Sequence, residues 1–225
     1  MSKPLYVFDL DHTLIGSDCM MEWHKFLVEK GVVSDPNFLA EERHLMSLYG
    51  KGKLNMESYL AFSLTPLKSI NKADIHALVS ECVETRILTT HYLEARKLLT
   101  HLNQGNHQLL MISASVTFLV EPIGQRLGIQ QSLGINLLED SGCYTPVIQG
   151  IPSYREGKVT RLQEWLALQT GTFDEIHFYT DSINDLPLCQ FADFSYLVNP
   201  CARLAKYKEH QNWTVLSWDA PVEML

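Results

Sequence analysis

The chain has 225 residues, 46% of them hydrophobic and 20% charged, with a net charge of −8 and a pI near 5.5. That is long enough for a substantial core, as one domain carrying an insertion or as two modest ones, and too acidic to expect nucleic acid or an anionic membrane as partner. Five scattered cysteines without a C-x-x-C pair, no apolar run of bilayer length, and an N-terminal apolar stretch interrupted by Asp9 lead us to expect reduced thiols and a cytoplasmic protein without a signal peptide.

Leu5-Tyr6-Val7-Phe8 is a run of β-formers and predicts a buried strand. It leads directly into Asp9-Leu10-Asp11-His12-Thr13. An unpaired carboxylate is costly to desolvate, so two acids at the end of a buried strand imply a use for them. Residues two apart on an extended chain point the same way. Two carboxylates facing one spot suit a hard divalent cation, or a nucleophile beside an acid/base. A turn with an Asp cap is the plainer alternative for this stretch alone.

From Met20 to about Arg86 the apolar residues fall at helical spacing, with breaks at Gly31, Gly50-Lys51-Gly52 and Pro66. Beyond Leu88 helices and strands alternate. Helices are expected at Tyr92 to Leu102, Val116 to Leu127 and Val159 to Leu168. Strands are expected at Gln108 to Ile112, Ile135 to Leu138, Ile176 to Tyr179, Tyr196 to Val198 and Thr214 to Leu216, with a hairpin around Asp140-Ser141-Gly142. Such alternation implies an α/β fold, a doubly wound, Rossmann-like parallel sheet covered on both faces. Residues 1–16 and 88–225 would form this core, and 17–87 a helical cap inserted after the first strand.

Three more polar signals sit where such a sheet would deliver them. Ser113-Ala114-Ser115 follows an apolar strand and could hold a phosphate oxygen, although Ser115 is also a natural N-cap for the next helix. Gly157-Lys158 opens a helix. Ile176-His177-Phe178-Tyr179 runs into Thr180-Asp181-Ser182-Ile183-Asn184-Asp185, where Asp185 lies one turn beyond Asp181 if a helix starts at Ser182.

Two acid pairs at strand ends, with a serine turn and a lysine between them, resemble the four motifs of the haloacid-dehalogenase-like phosphohydrolases. The insertion after the first motif and the run from Asp181 to Pro187 look closest to the phosphoserine-phosphatase-like subgroup. The resemblance implies Asp9 as a nucleophile that becomes an aspartyl phosphate, and Asp11 as the general acid/base. It implies Mg2+ held by Asp9, the Asp11 carbonyl and Asp181, with Asp185 orienting a bound water or Lys158. Ser113, Lys158 and the backbone N–H groups of Leu10 and Ala114 would hold phosphate oxygens. His12 departs from the glycine commoner in the family at that place.

In that subgroup an acidic residue shortly after the first motif meets the substrate ammonium and a cap arginine meets its carboxylate. Asp18 stands at a comparable offset, and is equally placed to cap the helix beginning near Met20. The corresponding cap stretch, Asn55 to Leu67, has no Arg or Lys, although Arg43, Lys51 or Lys53 could substitute. A desolvated carboxylate without a cation binds poorly. An amino-alcohol phosphate such as histidinol phosphate is therefore expected ahead of phosphoserine. A receiver-like phospho-acceptor and a sugar-phosphate mutase are the other readings; the first would lack the large cap.

Overall fold

The structure, a computed structural model, describes residues 3–219. The first strand, β1 (Pro4–Phe8), is followed by helices α1 (Cys19–Glu29), α2 (Phe38–Gly50), α3 (Met56–Ser63) and α4 (Lys72–Cys82). Short polar residues start three of them. Asp18 accepts from the Met21 N–H, Asn55 from Ser58 and Asn71 from Asp74, each satisfying an orphan donor of a first turn. A π-turn at Val83–Ile87 and a 3-10 turn at Leu88–Thr90 lead out of this region.

There follow α5 (Leu93–Gln104), β2 (Gln108–Val116), α6 (Thr117–Arg126), β3 (Gln131–Ile135), β4 (Leu137–Asp140), β5 (Cys143–Ile148), α7 (Glu156–Ala167), β6 (Glu175–Thr180), α8 (Leu186–Phe191), β7 (Phe194–Val198) and β8 (Trp213–Leu216). Six strands form one parallel sheet in the order β3-β2-β1-β6-β7-β8; β4 and β5 make a separate antiparallel hairpin. The sheet is the doubly wound one expected, with β1 in the middle and the chain reversing direction around it. Ligands bind outside the strand C-termini at such a reversal.

Alternation along β1 divides the core. Leu5 and Val7 pack with Leu162, Trp165 and Phe178 under α7. Phe8 packs into a larger cluster that runs without a break into Trp23, Leu27, Leu60 and Val79 of the helical region. Complete burial of a side chain such as Phe8 contributes roughly 1.5–3 kcal/mol. The chain entering and leaving the helical region pairs with itself: Gly16 N–H donates to Thr90 O at 2.7 Å and Tyr92 N–H to Leu14 O at 3.1 Å. A β-bridge joins Ile15 to His91 between them.

Three local expectations need correction. The strand expected over Ile135 to Leu138 is broken: β3 ends at Ile135 and β4 begins at Leu137 in the hairpin. Asn136 makes the break by accepting from Thr117 Oγ1 through its side chain (2.6 Å) and from Gln149 N–H through its carbonyl (2.8 Å). The strand after α5 continues past Ile112 to Val116, so Ser115 lies within β2 and does not cap α6. The turn after Ser182 is a 3-10 turn at Ile183–Asp185 before α8.

Candidate active site

Parallel pairing brings the polar motifs together. Phe8 is level with Met111 on one side and Tyr179 on the other. The peptides that follow, Asp9 to Asp11, Ser113 to Ser115, and Thr180-Asp181, therefore emerge at one edge of the sheet. Asp9 N–H donates to Tyr179 O at 2.9 Å, which fixes the carboxylate directly beside β6.

Lys158 is the centre of the charge arrangement. It enters from the first turn of α7, is 1% exposed, and its Nζ donates to Asp9 Oδ1 and to Asp185 Oδ2, both at 2.8 Å. Burial alone would lower this ammonium's pKa, but Asp185 and Asp9 outweigh it and push it up, so the lysine stays charged. Asp185 is steadied further by Thr180 Oγ1 at 2.7 Å. Burial raises its pKa to about 6 despite the lysine.

Asp181 and Asp9 converge on one hydroxyl. Thr13 Oγ1 lies 3.3 Å from Asp9 Oδ2 and 3.5 Å from Asp181 Oδ1. Burial, then Asp9 and Asp185, push Asp181 well above the usual carboxylate range. Asp11 turns the other way: Oδ1 accepts from Cys19 N–H at 2.7 Å and Oδ2 from Ser115 Oγ at 3.1 Å. Burial first, then Asp18 and Asp9, raise it to about 8. The direction of this shift is the one a general acid needs.

Three acids, Asp9, Asp181 and Asp185, stand around a single lysine. The surplus of hard carboxylate oxygens suits a hard cation beside Asp9 and Asp181. No three His, Cys, Asp or Glu side chains converge as a closed cage among the described residues. Magnesium needs no such cage: it is bound by one or two carboxylates and keeps several waters. The donor set fits it.

Ser113 is fully buried; its Oγ accepts from Ser115 N–H at 3.1 Å, which leaves its own proton free to donate, and Ser153 Oγ donates to its carbonyl at 2.5 Å. Ala114 and Ser115 line a small cavity of about 30 Å3, room for little more than one water, together with Asp11, Asp18, Met46, Tyr49, Met56 and Tyr59. Asp18 both caps α1 and faces this cavity, so the two roles coexist. Arg43, Lys51 and Lys53 do not line it, and neither does any other Arg or Lys among the described residues. A more open groove lies along α1 and α4, but its Lys30 and Arg86 are already paired with Glu81 and Glu29.

Sequence reasoning passed over Thr13, Thr180, Ser115 and Asn184 as separate contributors. Thr13, Thr180 and Asn184 stand inside the first and fourth acidic motifs. Ser115 carries no local signal, because a hydroxyl at a strand end is unremarkable until its partner across the sheet is known.

The chain matches the haloacid dehalogenase-like hydrolase family over residues 6–190. It belongs to that family. It is 34% identical over 221 residues to a histidinol-phosphatase of Neisseria meningitidis serogroup C, covering 96% of this chain and 99% of that protein. A crystal structure of a protein of unknown function from Bordetella pertussis superposes with a TM-score of 0.86 at 30% identity, over 96% of this chain and 99% of that one. A phosphoserine phosphatase solved as an analogue of its phospho-aspartyl intermediate shares the fold, with a TM-score of 0.70 at 19% identity over 97% and 96% of the two chains. The chain is a phosphatase of the haloacid dehalogenase type, with the phosphoserine-phosphatase-like architecture.

Proposed function

We propose that the chain hydrolyses histidinol phosphate, a small amino-alcohol phosphate, through an aspartyl phosphate on Asp9. The observation that carries this reading is the lining of the small cavity beside Asp11, which a substrate enters by parting the helices around it: Asp18, thioethers and aromatic rings, and no cation to meet a substrate carboxylate. Such a wall suits a cationic or imidazole-bearing group and opposes phosphoserine. The Neisseria relative, a histidinol-phosphatase by name, supports the same choice.

Asp9 attacks phosphorus while the bond to the alcohol oxygen breaks, and Asp11 gives that oxygen its proton. Asp11, now ionised, takes a proton from the water that attacks the aspartyl phosphate, releasing inorganic phosphate and restoring Asp9. Lys158 and the Ser113 hydroxyl hold the phosphate oxygens as charge spreads over them. Asp185 keeps Lys158 extended toward Asp9. Asp9, the Asp11 carbonyl and Asp181 would hold Mg2+, which supplies the positive charge that lets a carboxylate approach a phosphate dianion.

Residues 17–87 serve as a cap that excludes bulk water and polymeric substrates. The free state of Cys19, Cys82, Cys143, Cys189 and Cys201 is in keeping with a reducing, cytoplasmic setting.

The test is a side-by-side assay with Mg2+. Histidinol phosphate should exceed phosphoserine in kcat/KM by at least about tenfold, and chelation should abolish turnover. Asp9→Asn should lower kcat on the order of 10³-fold or more. Faster hydrolysis of phosphoserine refutes the substrate assignment, and full activity of the Asp9 variant refutes the mechanism.

A further inference from the structure

Four side chains of the helical region form a buried polar chain that the reaction described above does not use. Ser63, His24, Glu42 and Tyr59, from α3, α1, α2 and α3, are at most 4% exposed. Ser63 Oγ lies 2.8 Å from His24 Nε2, and Tyr59 Oη donates to Glu42 Oε1 at 2.8 Å. His24 Nδ1 lies 3.1 Å from Glu42 Oε2, in ion-pair range but off the line of a straight hydrogen bond. Phe38 closes the chain off, its ring edge-on to His24 at 5.1 Å. Burying a carboxylate and an imidazole this completely is costly even when they are paired. An apolar contact between three helices would hold them together without that cost, so the polar chain calls for a role beyond packing.

Tyr59 connects the chain to the small cavity beside Asp11, whose lining also holds Asp18 and Met56. Its proton is committed to Glu42. The phenol oxygen therefore has only lone pairs to offer, and an acceptor selects for N–H donors and against carboxylates. Burial, reinforced by Glu42 and Asp18, keeps the phenol protonated.

We propose that Tyr59, oriented by Glu42, is a specificity-determining residue: its oxygen accepts a hydrogen bond from the imidazole or ammonium N–H of the substrate. Asp18 adds a further acceptor to the same wall, and Glu42 stands behind Tyr59. His24 and Ser63 are positioning residues that hold Glu42 in place. This contact rests on the histidinol-phosphate reading and extends it to the end of the substrate remote from phosphorus.

The experiment compares histidinol phosphate with p-nitrophenyl phosphate, an ester without an N–H donor, in wild type, Y59F and E42Q. Y59F removes the acceptor; E42Q retains a partner for the phenol but removes the charge. Y59F should raise KM for histidinol phosphate about tenfold, with a smaller change in kcat, and lower the preference over p-nitrophenyl phosphate by the same factor. E42Q should show a smaller loss of the same kind. Equal losses on both substrates mean a structural role and overturn the proposal. Should E42Q fail to fold, Y59F decides by itself, because deleting one hydroxyl leaves the ring in the wall. A wild type that ignores histidinol phosphate sinks the substrate assignment and this contact with it. A wild type that prefers histidinol phosphate beside a Y59F that keeps the full preference sinks the contact alone.

Discussion

Asp9 and Asp11 are chemically alike and only two residues apart, and their surroundings separate them. Asp9 lies against the Lys158 ammonium, while Asp11 is buried among acids and raised to about 8. In the mechanism proposed above the nucleophile is ionised and the general acid protonated, and the two environments favour that division of roles. Asp11→Asn keeps the size and loses the proton. We expect it to lower kcat for an alkyl phosphate such as histidinol phosphate by about 10²–10⁴-fold. For p-nitrophenyl phosphate, whose leaving group needs no protonation, the first step should suffer much less, so a pre-steady-state burst of nitrophenol should remain. Absence of that burst would count against the role given to Asp11. His12, between the two acids, has a backbone φ of +56° and an exposed side chain. A left-handed position is where glycine is least strained, which accounts for glycine being common there in the family.

Among the elements, α7 has the most exacting start, because its first turn delivers Lys158. Arg155 just before it has φ +54° and ψ −124°, a conformation rare for any residue with a side chain. A Cβ on Gly157 would meet the Pro152 carbonyl oxygen at 2.0 Å. Gly157→Ala must therefore displace the turn. We expect a loss of about 1–3 kcal/mol in urea unfolding, together with a fall in kcat of at least tenfold on the order expected for a misplaced catalytic group. Unchanged kcat would mean that Lys158 tolerates the shift. The same turn reaches into the helical region, where the last carbonyls of α2 lack intrahelical partners. Arg155 donates to Gly52 O, Arg203 to Gly50 O at 3.3 Å, and Asn184 to Tyr49 O at 3.1 Å. The end of α2 is thus clasped by the turn before Lys158, the fourth-motif loop and the loop after β7.

Across the whole molecule, the helical region and the sheet share one apolar cluster, joined through the paired segments around Ile15 and His91. Burial, then Arg96, lowers the His91 pKa to about 4 from an ordinary 6.5. The unfolded chain binds that proton more readily than the folded one between those values. The stability contributed by keeping His91 neutral is therefore complete above pH 6.5 and lost as pH falls toward 4. Urea midpoints measured at pH 7 and pH 5 should show a smaller drop for His91→Asn than for wild type. An equal drop would remove His91 from the cause.

Much of this protein was legible in its sequence. The strand ends and acid pairs could be read because nucleophile, acid/base and metal ligands need residues a fixed few positions apart on one strand or turn. Alternating helices and strands carried the sheet for a similar reason, since apolar periodicity is a local property. Where local signals competed, the reading slipped. Ile135 to Leu138 is uniformly apolar apart from Asn136, and the two donors that make that residue a break, the Thr117 hydroxyl and the Gln149 N–H, lie outside the segment. Ser115 had the composition of a cap and turned out to serve Asp11 across the sheet.

The chain itself determined the catalytic chemistry and the class of fold, because both depend on residues near one another in sequence. Tertiary packing alone decided how far burial raises each acid, how Lys158 is shared between two carboxylates, and that Glu42 stands behind Tyr59 at the cavity wall. Those outcomes depend on burial and on distances between distant segments, and neither quantity exists until the chain has closed on itself.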